Sequence, residues 1–461
     1  MRRLMCVSSL VMLAVAAALL AGSSKGATGG PVVGSHQEPI DAVIAGLDSR
    51  GSERQSTVLD NFKFVGHTDL GADIDFGDVW GHGNFAYVGS RCGDQALGGG
   101  GVRVVDISHP THPVVVSTLP NDTFTRAEDV VVRHVTTPSF SGDLAVVGIQ
   151  ACFGSGHEGE VPTGLRFFDV TDAAHPVMLS EWDLPPGSIG CHEVDLVQRP
   201  DGLVLAGCAR NLVDQIDFNT GEQIPGAVKF VDASDPTNPQ LAASWEMPVE
   251  PFGGIGCLPV EFAHSVRFED GGNSAYVSYW DAGTVHLDLS DASAPQIVSD
   301  TLIAPPDEDG DNHSMTLANG GRWLVINPED FSPGDCGPGF DGWGEAYVYD
   351  NADTDNPTFL GTFSTPDSRS TRTDGSFTVH NTEVVLGKQF FSSWYSDGIV
   401  WWTMSDSGSS HQLGQFVPPA SDRFGVPLVW GVYLDSAHDL VLASDMGSGL
   451  WIVRPKGLNH F

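Results

Sequence analysis

The chain has 461 residues, of which 59 are acidic and 22 are basic, so its formal net charge at pH 7 is −37. Such an acidic excess argues against nucleic acid and anionic membranes as partners, because both repel negative charge. Hydrophobic residues make up 41% of the chain, which is enough for a large core, and its 55 glycines and 29 prolines indicate many turns between short strands.

The N-terminal end has the features of a secretory signal peptide over residues 1–23. Arg2 and Arg3 precede an apolar stretch at residues 4–21, and small residues follow it. A retained membrane anchor is the alternative, since this stretch is at the lower limit of spanning length. Residues 24–57 are polar and rich in small side chains, and we interpret them as a flexible linker. We therefore expect a secreted or envelope-associated protein with no transmembrane domain in the mature chain.

One arrangement of two strands and a turn occurs seven times. A β-branched strand, which in five copies ends in Asp, is followed by a turn rich in Ser, Asp and Pro and by a second β-branched strand. The copies start at residues 101, 164, 227, 283, 345, 398 and 449. Their spacing of about 50–60 residues predicts a repeat protein in which each copy is one structural unit.

Two further strands precede each copy, so every unit is expected to have four strands. The first strand of each unit is predicted at residues 74–80, 129–133, 192–197, 264–268, 313–317, 379–385 and 429–434. Clusters of Gly, Pro, Asn and Asp separate these segments, as is typical of successive antiparallel strands.

The two ends of the chain complement each other. Residues 62–70 resemble the fourth strand of a unit, whereas residues 449–454 form a third strand that lacks a fourth. Joining them closes a ring and removes the open sheet edges. We therefore predict an all-β fold, a seven-bladed β-propeller over residues 58–461, with its last blade completed by residues 62–70. An open β-solenoid is the alternative, but it leaves the divided last unit unexplained.

The repeat resembles that of a known family. Residues 227–239 combine a strand that ends in Asp with the pattern Ser-Asp-Pro-x-x-Pro, which is similar to the LVIVD repeat of exported bacterial and archaeal proteins. Residues 278–283 and 393–398 match the same family. The resemblance extends over about residues 58–457, and it implies a propeller but no particular activity. The sixth copy departs from the pattern, with Thr403 in place of the Asp.

Six cysteines follow the signal peptide: Cys92, Cys152, Cys191, Cys208, Cys257 and Cys336. An even number in an exported chain predicts up to three disulfides. Cys191 and Cys208 flank one predicted hairpin and can bridge across it. A scheme that links successive blades, with Cys152 bonded to Cys191 and Cys208 bonded to Cys257, is equally regular. The sequence does not choose between these pairings.

The inner strands carry histidines at equivalent positions. In a propeller the first strand of each blade lines the central channel. Aligning these strands places one imidazole in each of four blades, namely His192, His264, His313 and His380. Trp430 takes the same position in blade 7 and Glu128 in blade 2, whereas in blade 1 it falls near Gly77 or Asp78.

Imidazoles that converge on an axis can hold a divalent metal ion. Neutral imidazole nitrogens suit Zn or Cu, whereas carboxylate and carbonyl oxygens suit Ca. We therefore predict these four histidines as metal ligands, with Zn, Cu or Ca as the ion. The alternative is that each histidine only hydrogen-bonds a loop of the neighbouring blade and so fixes the ring.

Carboxylates and aromatic side chains are expected at the same mouth of the channel. The long insertions between strands fall on this face as well. The candidates for ligand binding are Asp129, Glu193, Tyr279, Trp280, Asp281, Asp330, Trp394, Asp397, Trp430 and Asp445.

These patterns predict a monomeric extracellular binding or interaction module with its ligand or metal at one mouth of the channel. Its expected partner is an extracellular or cell-envelope protein, a glycan or a small ligand. The alternative is a metal-dependent hydrolase or oxidase with the metal on the propeller axis and Glu193 or Asp129 as the acid–base group. A structural envelope protein is a third reading. The sequence has no Gly-x-Ser-x-Gly elbow, P-loop or dinucleotide fingerprint.

Overall fold

Short antiparallel strands make up the regular structure of the chain. In the computed structural model the described residues are 57–71, 74–93, 97–210, 227–248, 261–303, 310–331 and 342–458. They contain 30 β-strands and one 3-10 turn at Asp270–Gly272, and no α-helix occurs among them. The predicted signal peptide and the predicted linker up to residue 56 lie outside the described residues. Within the described ranges there is no helix of the length and apolarity needed to cross a bilayer.

Seven antiparallel sheets follow one another along the chain and form the seven blades. Two strands precede blade 1: β1 (Val58–Asp60) and β2 (Phe62–Thr68). The strands of blades 1 and 2 are β3 (Phe76–His82), β4 (Phe85–Ser90), β5 (Val102–Asp106), β6 (Val114–Leu119), β7 (Thr125–Arg126), β8 (Val130–Thr136), β9 (Ser141–Ala151), β10 (Gly164–Asp169) and β11 (Val177–Asp183). The strands of blades 3 and 4 are β12 (Val194–Gln198), β13 (Val204–Ala209), β14 (Val228–Asp232), β15 (Gln240–Trp245), β16 (Ser265–Glu269), β17 (Ser274–Ser278), β18 (Thr284–Asp288) and β19 (Gln296–Thr301).

The same meander continues through the last three blades. Their strands are β20 (Asn312–Ala318), β21 (Trp323–Pro328), β22 (Ala346–Asp350), β23 (Thr358–Phe363), β24 (Thr382–Val385), β25 (Gln389–Ser393), β26 (Ile399–Met404), β27 (Ser410–Val417), β28 (Val429–Asp435), β29 (Leu440–Asp445) and β30 (Gly449–Pro455). The sequence therefore predicts the number of blades and the order of their strands correctly.

The Asp that ends each third strand shapes the turn after it. In blades 1 to 5 its carboxylate accepts the backbone N–H two residues later: Asp106 from Ser108 at 2.8 Å, Asp169 from Thr171 at 2.9 Å, Asp232 from Ser234 at 2.9 Å, Asp288 from Ser290 at 2.7 Å and Asp350 from Ala352 at 3.0 Å. This local bond starts the reversal into the fourth strand. In blade 6 the Thr403 hydroxyl donates instead to the Lys388 carbonyl, 2.8 Å away.

Apolar side chains of adjacent blades pack between the sheets. Val102 and Val104 of blade 1, for example, pack with Val130, Val132 and Val147 of blade 2, and all five are at most 1% exposed. Burying one valine fully contributes about 1.5–3 kcal/mol. The blades are therefore held by a core that lies between them, and this core fixes where the inner strands face the axis.

The predicted closure of the ring is confirmed. Strand β2 pairs with β30, from Phe62 opposite Pro455 to Thr68 opposite Leu450, and completes blade 7. Strand β1 is not in the prediction. It pairs with β27 as a fifth strand of blade 6, so the start of the propeller contacts two blades in succession.

Two disulfides lie among the described residues. Cys191 and Cys208 bridge the hairpin of β12 and β13, which is one of the two predicted arrangements. Cys92, after β4 of blade 1, is bonded to Cys152, after β9 of blade 2. The scheme that pairs Cys152 with Cys191 is therefore wrong, because both residues have other partners. Cys257 and Cys336 lie outside the described residues.

Candidate metal centre

In blades 5 and 7 the same backbone feature directs one residue toward the axis. In blade 5, Asn312 forms a bridge with Trp280 of blade 4, and a register shift follows directly. His313 is the extra residue of that β-bulge. Blade 7 repeats the arrangement, with Val429 bridged to blade 6 and Trp430 as the extra residue. A β-bulge changes the direction in which a side chain points. The bridge to the preceding blade and the turn of the side chain toward the axis therefore arise from the same local distortion of the strand.

The four aligned imidazoles lie in a continuous arc, which we call the histidine arc (His192, His264, His313 and His380). Their side chains are at most 1% exposed. Ring centroids are 4.4 Å apart between His192 and His264, 4.1 Å between His264 and His313, and 4.0 Å between His313 and His380. The structure therefore brings residues from four blades into direct contact.

Three other side chains extend the arc into a closed circuit. Trp430 lies 4.3 Å from His380 between ring centroids, and the Arg91 guanidinium lies 4.5 Å from the centroid of Trp430. Arg91 Nε is 3.8 Å from Glu128 Oε1, and Glu128 Oε2 is 3.6 Å from His192 Nδ1. We call this circuit of seven residues the axial ring. All of its members are at most 4% exposed.

Blade 1 contributes to the axial ring from a different strand. Its aligned residue is Gly77, where a Cβ atom would lie 2.5 Å from the backbone oxygen of Glu128 and 2.9 Å from the Glu128 Cγ. No side chain fits there, and Arg91, which follows the second strand of the blade, takes the place.

Hydrogen bonds fix the tautomer of His192. Its Nδ1 lies 2.9 Å from Gln150 Oε1, and the same oxygen accepts Arg126 Nε at 2.8 Å. Arginine only donates hydrogen bonds, so this atom of Gln150 is an acceptor and His192 Nδ1 must donate to it. In the neutral ring the Nε2 of His192 then carries a lone pair.

The tautomer of His264 follows from a similar contact. Its Nδ1 lies 3.1 Å from the carbonyl oxygen of His313, which can only accept. Nε2 of His264 therefore also carries a lone pair when the ring is neutral. The Nε2 atoms of His192 and His264 are 3.0 Å apart. Two such lone pairs do not form a hydrogen bond with each other, so this contact requires a shared proton or a cation.

A proton on His192 is unfavourable at this contact. Burial lowers the pKa of His192 well below its usual value, and the neighbouring His264 and Arg126 lower it further. Two nitrogens that each lie about 2.1 Å from one ion are about 3 Å apart at the 90° angle of a square-planar Cu(II) site and about 3.4 Å apart at the tetrahedral angle of zinc. The separation of the two Nε2 atoms therefore matches a pair of adjacent ligands on one metal.

Two carboxylates lie against the histidine arc, of which Glu329 is buried and Glu193 is partly exposed. Glu193 Oε1 is 3.8 Å from His264 Nδ1 and 3.5 Å from His313 Nε2. Glu329 Oε2 is 3.7 Å from His313 Nε2, and its Oε1 is 3.6 Å from His380 Nε2. Burial raises the pKa of both carboxyl groups well above the usual value. Within the described part of the chain, two groups of three ligand atoms lie within 4.8 Å of one another: His192, Glu193 and His264, and His264, His313 and Glu329.

The inner strands enclose a channel beside the axial ring. Its water-accessible volume is about 80 Å³, and Glu193 connects it with the arc. Asp78 and Asp129 also line it, as do the half-exposed side chains of Arg133 and Arg267. This volume holds several waters or one small ligand.

Comparison with known proteins agrees with the repeat and the fold. The family described as the LVIVD repeat matches residues 75–119, which form blade 1, and residues 271–301, which include β17 to β19 of blade 4. The chain carries LVIVD repeats. No curated protein matches its sequence. Among solved structures, the periplasmic gluconolactonase of Pseudomonas aeruginosa is similar, with a TM-score of 0.54 and 12% identity over 77% of this chain and 88% of that one. At this identity the likeness shows the fold alone.

In this LVIVD-repeat propeller, three of the candidate carboxylates are bonded within loops. Asp281 Oδ1 accepts the N–H of Asp311 at 2.9 Å, and Asp397 Oδ2 accepts the Thr365 hydroxyl at 2.5 Å. Asp445 accepts the N–H of Leu428 at 2.6 Å and three bonds from the turn after it. Burial raises the pKa of Asp397 to about 7 and also raises the pKa of Asp445. These contacts order the loops that follow the second strands.

Asp129 and Asp330 are also buried. The two carboxylate oxygens of Asp129 accept the N–H groups of Val130 and Val194, each at 2.7 Å, so Asp129 links blade 2 to blade 3. Burial raises the pKa of Asp129 well above its usual value. Asp330 is 2% exposed, and its backbone oxygen accepts the N–H of Gly344 at 3.3 Å.

Some of the candidate aromatic residues bond to loops, and others lie at or near the axial ring. The Tyr279 hydroxyl accepts the N–H of Met247 at 3.3 Å, and Trp394 Nε1 donates to the Phe377 carbonyl at 2.8 Å. Trp280 is closer to the arc, with its ring centroid 5.3 Å from that of His264. Trp430 belongs to the axial ring itself.

Three residues of the site are missing from the sequence-based prediction: Arg91, Arg126 and Gln150. Arg91 follows a second strand, Gln150 lies near the end of one, and Arg126 lies in the short strand β7. Glu329 and Tyr395 follow second strands in blades 5 and 6, where the sequence predicts carboxylates and aromatic residues at this mouth, and the Tyr395 hydroxyl donates to Glu329 Oε1. An alignment of the ends of the second strands, made in the same way as that of the inner strands, would have drawn attention to Arg91.

Proposed function

We propose that this protein is an exported propeller that binds a divalent transition metal between His192 and His264. The observation that carries the proposal is the 3.0 Å contact of their Nε2 atoms, each of which is left without a proton by the bond its Nδ1 makes. A carboxylate oxygen of Glu193 lies within 4.8 Å of one ring nitrogen of each of these two histidines, and we take Glu193 as the third ligand.

The donor atoms favour zinc or copper over calcium at this position. Imidazole nitrogen is a good ligand for Zn and Cu, whereas Ca takes six to eight oxygens. Gln150 and the His313 carbonyl hold the Nδ1 atoms of the two rings, which is how proteins commonly orient histidines that bind metal.

The disulfides support the extracytoplasmic part of the proposal. Bonds such as those of Cys92 with Cys152 and Cys191 with Cys208 persist in oxidising compartments and are rare in the cytosol. The signal peptide remains a prediction from the sequence.

Metal content tests the proposal directly. The mature protein is stripped with a chelator, dialysed against Zn²⁺ or Cu²⁺, and assayed by inductively coupled plasma mass spectrometry. We expect stoichiometric metal in the wild type and binding weakened more than about 100-fold in His264→Gln, since changes outside the ligands already cost about 10- to 100-fold. Zinc at 100 times its dissociation constant stabilises the wild type by about 2.7 kcal/mol in denaturant unfolding.

His175→Gln is the matched control, because it makes the same change at an exposed histidine that pairs with Asp172 in an outer turn. It should bind metal as the wild type does. If His264→Gln does not fold, electron paramagnetic resonance of copper-loaded wild type decides, since two imidazole ligands give nitrogen hyperfine splitting. Wild-type protein that takes up no stoichiometric metal, or a copper spectrum without nitrogen ligands, overturns the proposal.

A metal-dependent hydrolase is the second candidate function. Glu193 is the observation in its favour, because its side chain is 17% exposed and reaches from the arc into the channel, where it can exchange a proton with water. The small channel volume limits a substrate from that side to a small molecule. A periplasmic gluconolactonase has the same fold, so lactones are the first substrates to assay. Turnover by zinc-loaded wild type that is lost in Glu193→Gln would support this function.

A further inference from the structure

We infer that the metal ion enters and leaves through the channel, and that the ion pair of Arg267 with Glu383 is a gate across this path. This inference rests on the proposed function. It concerns the regulation of the same site, since a gate sets how fast the ion exchanges with solvent and leaves the affinity of the site unchanged.

Glu193 gives the metal site its contact with the channel. Of the three proposed ligands, His192 and His264 are at most 1% exposed, whereas the Glu193 side chain is 17% exposed and lines the channel. Trp280, which packs against His264, is buried as well. An ion that arrives through the channel therefore meets Glu193 before it reaches the two imidazoles.

The charge of the lining favours cations. Two basic side chains, Arg133 and Arg267, line the channel, and each already lies beside a carboxylate. Five acidic side chains line it as well: Asp78, Asp129, Glu193, Asp195 and Glu383. A cleft with walls of one predominant charge raises the local concentration of ions of the opposite sign. The lining therefore attracts a metal cation and repels anions.

The ion pair of Arg267 with Glu383 crosses the channel. Arg267 lies in β16 of blade 4 and Glu383 in β24 of blade 6, so the inner strand of blade 5 separates the two strands along the ring. Arg267 Nη2 nevertheless lies 3.4 Å from Glu383 Oε1. Since both residues line the channel, their side chains meet in front of blade 5 and narrow the passage.

A second contact crosses the channel nearer to the histidine arc. Asn381, which follows His380 in the chain, donates from Nδ2 to Asp78 Oδ2 at 2.8 Å and so connects blade 6 to blade 1 past blade 7. The Arg267 and Glu383 side chains are 37% and 22% exposed, so their contact lies toward the solvent. Ion pairs with such access to water are weak, and this outer contact can therefore open while the blades stay folded.

The test measures how fast zinc enters and leaves. Chelator-stripped mature protein is mixed with Zn²⁺ and a fluorescent zinc indicator in a stopped-flow instrument, and release is followed in excess chelator. Arg267→Gln combined with Glu383→Gln removes the ion pair and keeps the net charge of the lining. We expect loading and release to be faster by the same factor, up to about fivefold for an exposed ion pair, with an unchanged dissociation constant.

Lys388→Gln combined with Asp406→Gln is the matched control. It removes an exposed ion pair that is not among the residues lining the channel, and it also keeps the net charge. Its rates should equal those of the wild type. If the channel variant does not fold, Glu383→Gln alone is used, because its amide oxygen still accepts a hydrogen bond from Arg267. That variant must then load and release zinc faster than the control.

The outcomes separate this inference from the proposed function. Stoichiometric zinc that loads and leaves at wild-type rates in the channel variant overturns the gate and keeps the proposed function. So does faster release with a proportionally weaker dissociation constant, because the pair then holds the site and not the path. Faster loading and release at an unchanged dissociation constant support both. No bound zinc in the wild type overturns both.

Discussion

The axial ring has two halves that differ in chemistry. Blades 3 to 6 place four imidazoles at the axis, whereas blades 7, 1 and 2 place Trp430, Arg91 and Glu128 there, with Arg91 coming from a different strand. The second half is held by charge, since Glu128 Oε2 also lies 3.0 Å from Arg126 Nη1. The histidine arc is joined instead by a hydrogen bond, which His264 Nδ1 donates to the carbonyl oxygen of His313. The repeated blade therefore sets the position of the axial side chain in most blades, whereas the residue type at that position differs between the two halves.

The two halves therefore differ in their structural role. Arg91, Arg126 and Glu128 are 2–4% exposed, and ionised groups at such depth are retained only when they are paired. We conclude that the ion pairs of the charged half close the axial ring.

Removing the carboxylate of the charged half should have the largest effect. Glu128→Ala takes away the acidic partner of Arg91 and Arg126, and breaking a buried ion pair costs about 3–5 kcal/mol. Urea unfolding measures the loss. Asp406→Ala is the control, since its ion pair with Lys388 is exposed and contributes less than about 1 kcal/mol. Equal losses in the two variants would contradict the assignment of the charged half as the closure.

Filling the space at blade 1 should have an intermediate effect. Gly77→Ala brings a methyl group against the backbone and Cγ of Glu128, and overpacking of this kind costs about 1–3 kcal/mol. Differential scanning calorimetry of the variant shows the loss as a lower melting temperature. The same change at Gly159, where the added carbon meets nothing within 4 Å, is the control. If Gly77→Ala is as stable as Gly159→Ala, a side chain does fit at position 77. The position of Arg91 in the axial ring would then not be explained by the lack of space at Gly77.

The smallest effect, when expressed for a single pH unit, is a pH dependence of stability that arises at His313. Burial lowers the pKa of His313 from 6.5 to about 3 in the folded protein. Between these values the unfolded chain binds a proton at His313 and the folded chain does not, so this residue destabilises the fold as the pH falls below 6.5. Metal-free wild type should lose stability relative to His313→Gln by at most about 1.4 kcal/mol per pH unit, and above pH 6.5 the difference should be constant. Urea unfolding in chelator at several pH values measures it, and a difference that is flat from pH 6.5 to 4 would contradict it.

Much of the fold is accessible from the sequence because the repeat is a local signal. A strand that ends in Asp needs only the residues two positions later to form its turn, as Asp106 does with Ser108, so each copy can be recognised by itself. The divided last blade is also recognisable, because residues 62–70 lack a preceding strand. Strand β1 escapes prediction, since it is three residues long and pairs with β27, more than 350 residues away along the chain.

The candidate site is accessible only in part. Aligning the inner strands identifies His192, His264, His313 and His380 as equivalent, because blades with one geometry place one residue at one position. It does not identify Arg91, which is on another strand and enters the ring because Gly77 leaves no room for a side chain. Nor does it identify Gln150, whose oxygen sets the tautomer of His192 from the neighbouring blade.

The sequence by itself determined the seven blades, the closure of the ring and the four equivalent histidines, because the repeat encodes each of them within one blade or at the chain ends. The tertiary structure decided which side chains meet at the axis, how the cysteines pair, and which nitrogens carry protons. Those outcomes depend on contacts between blades. Gln150, for example, reaches His192 of the next blade from strand β9, and no local pattern specifies that partner.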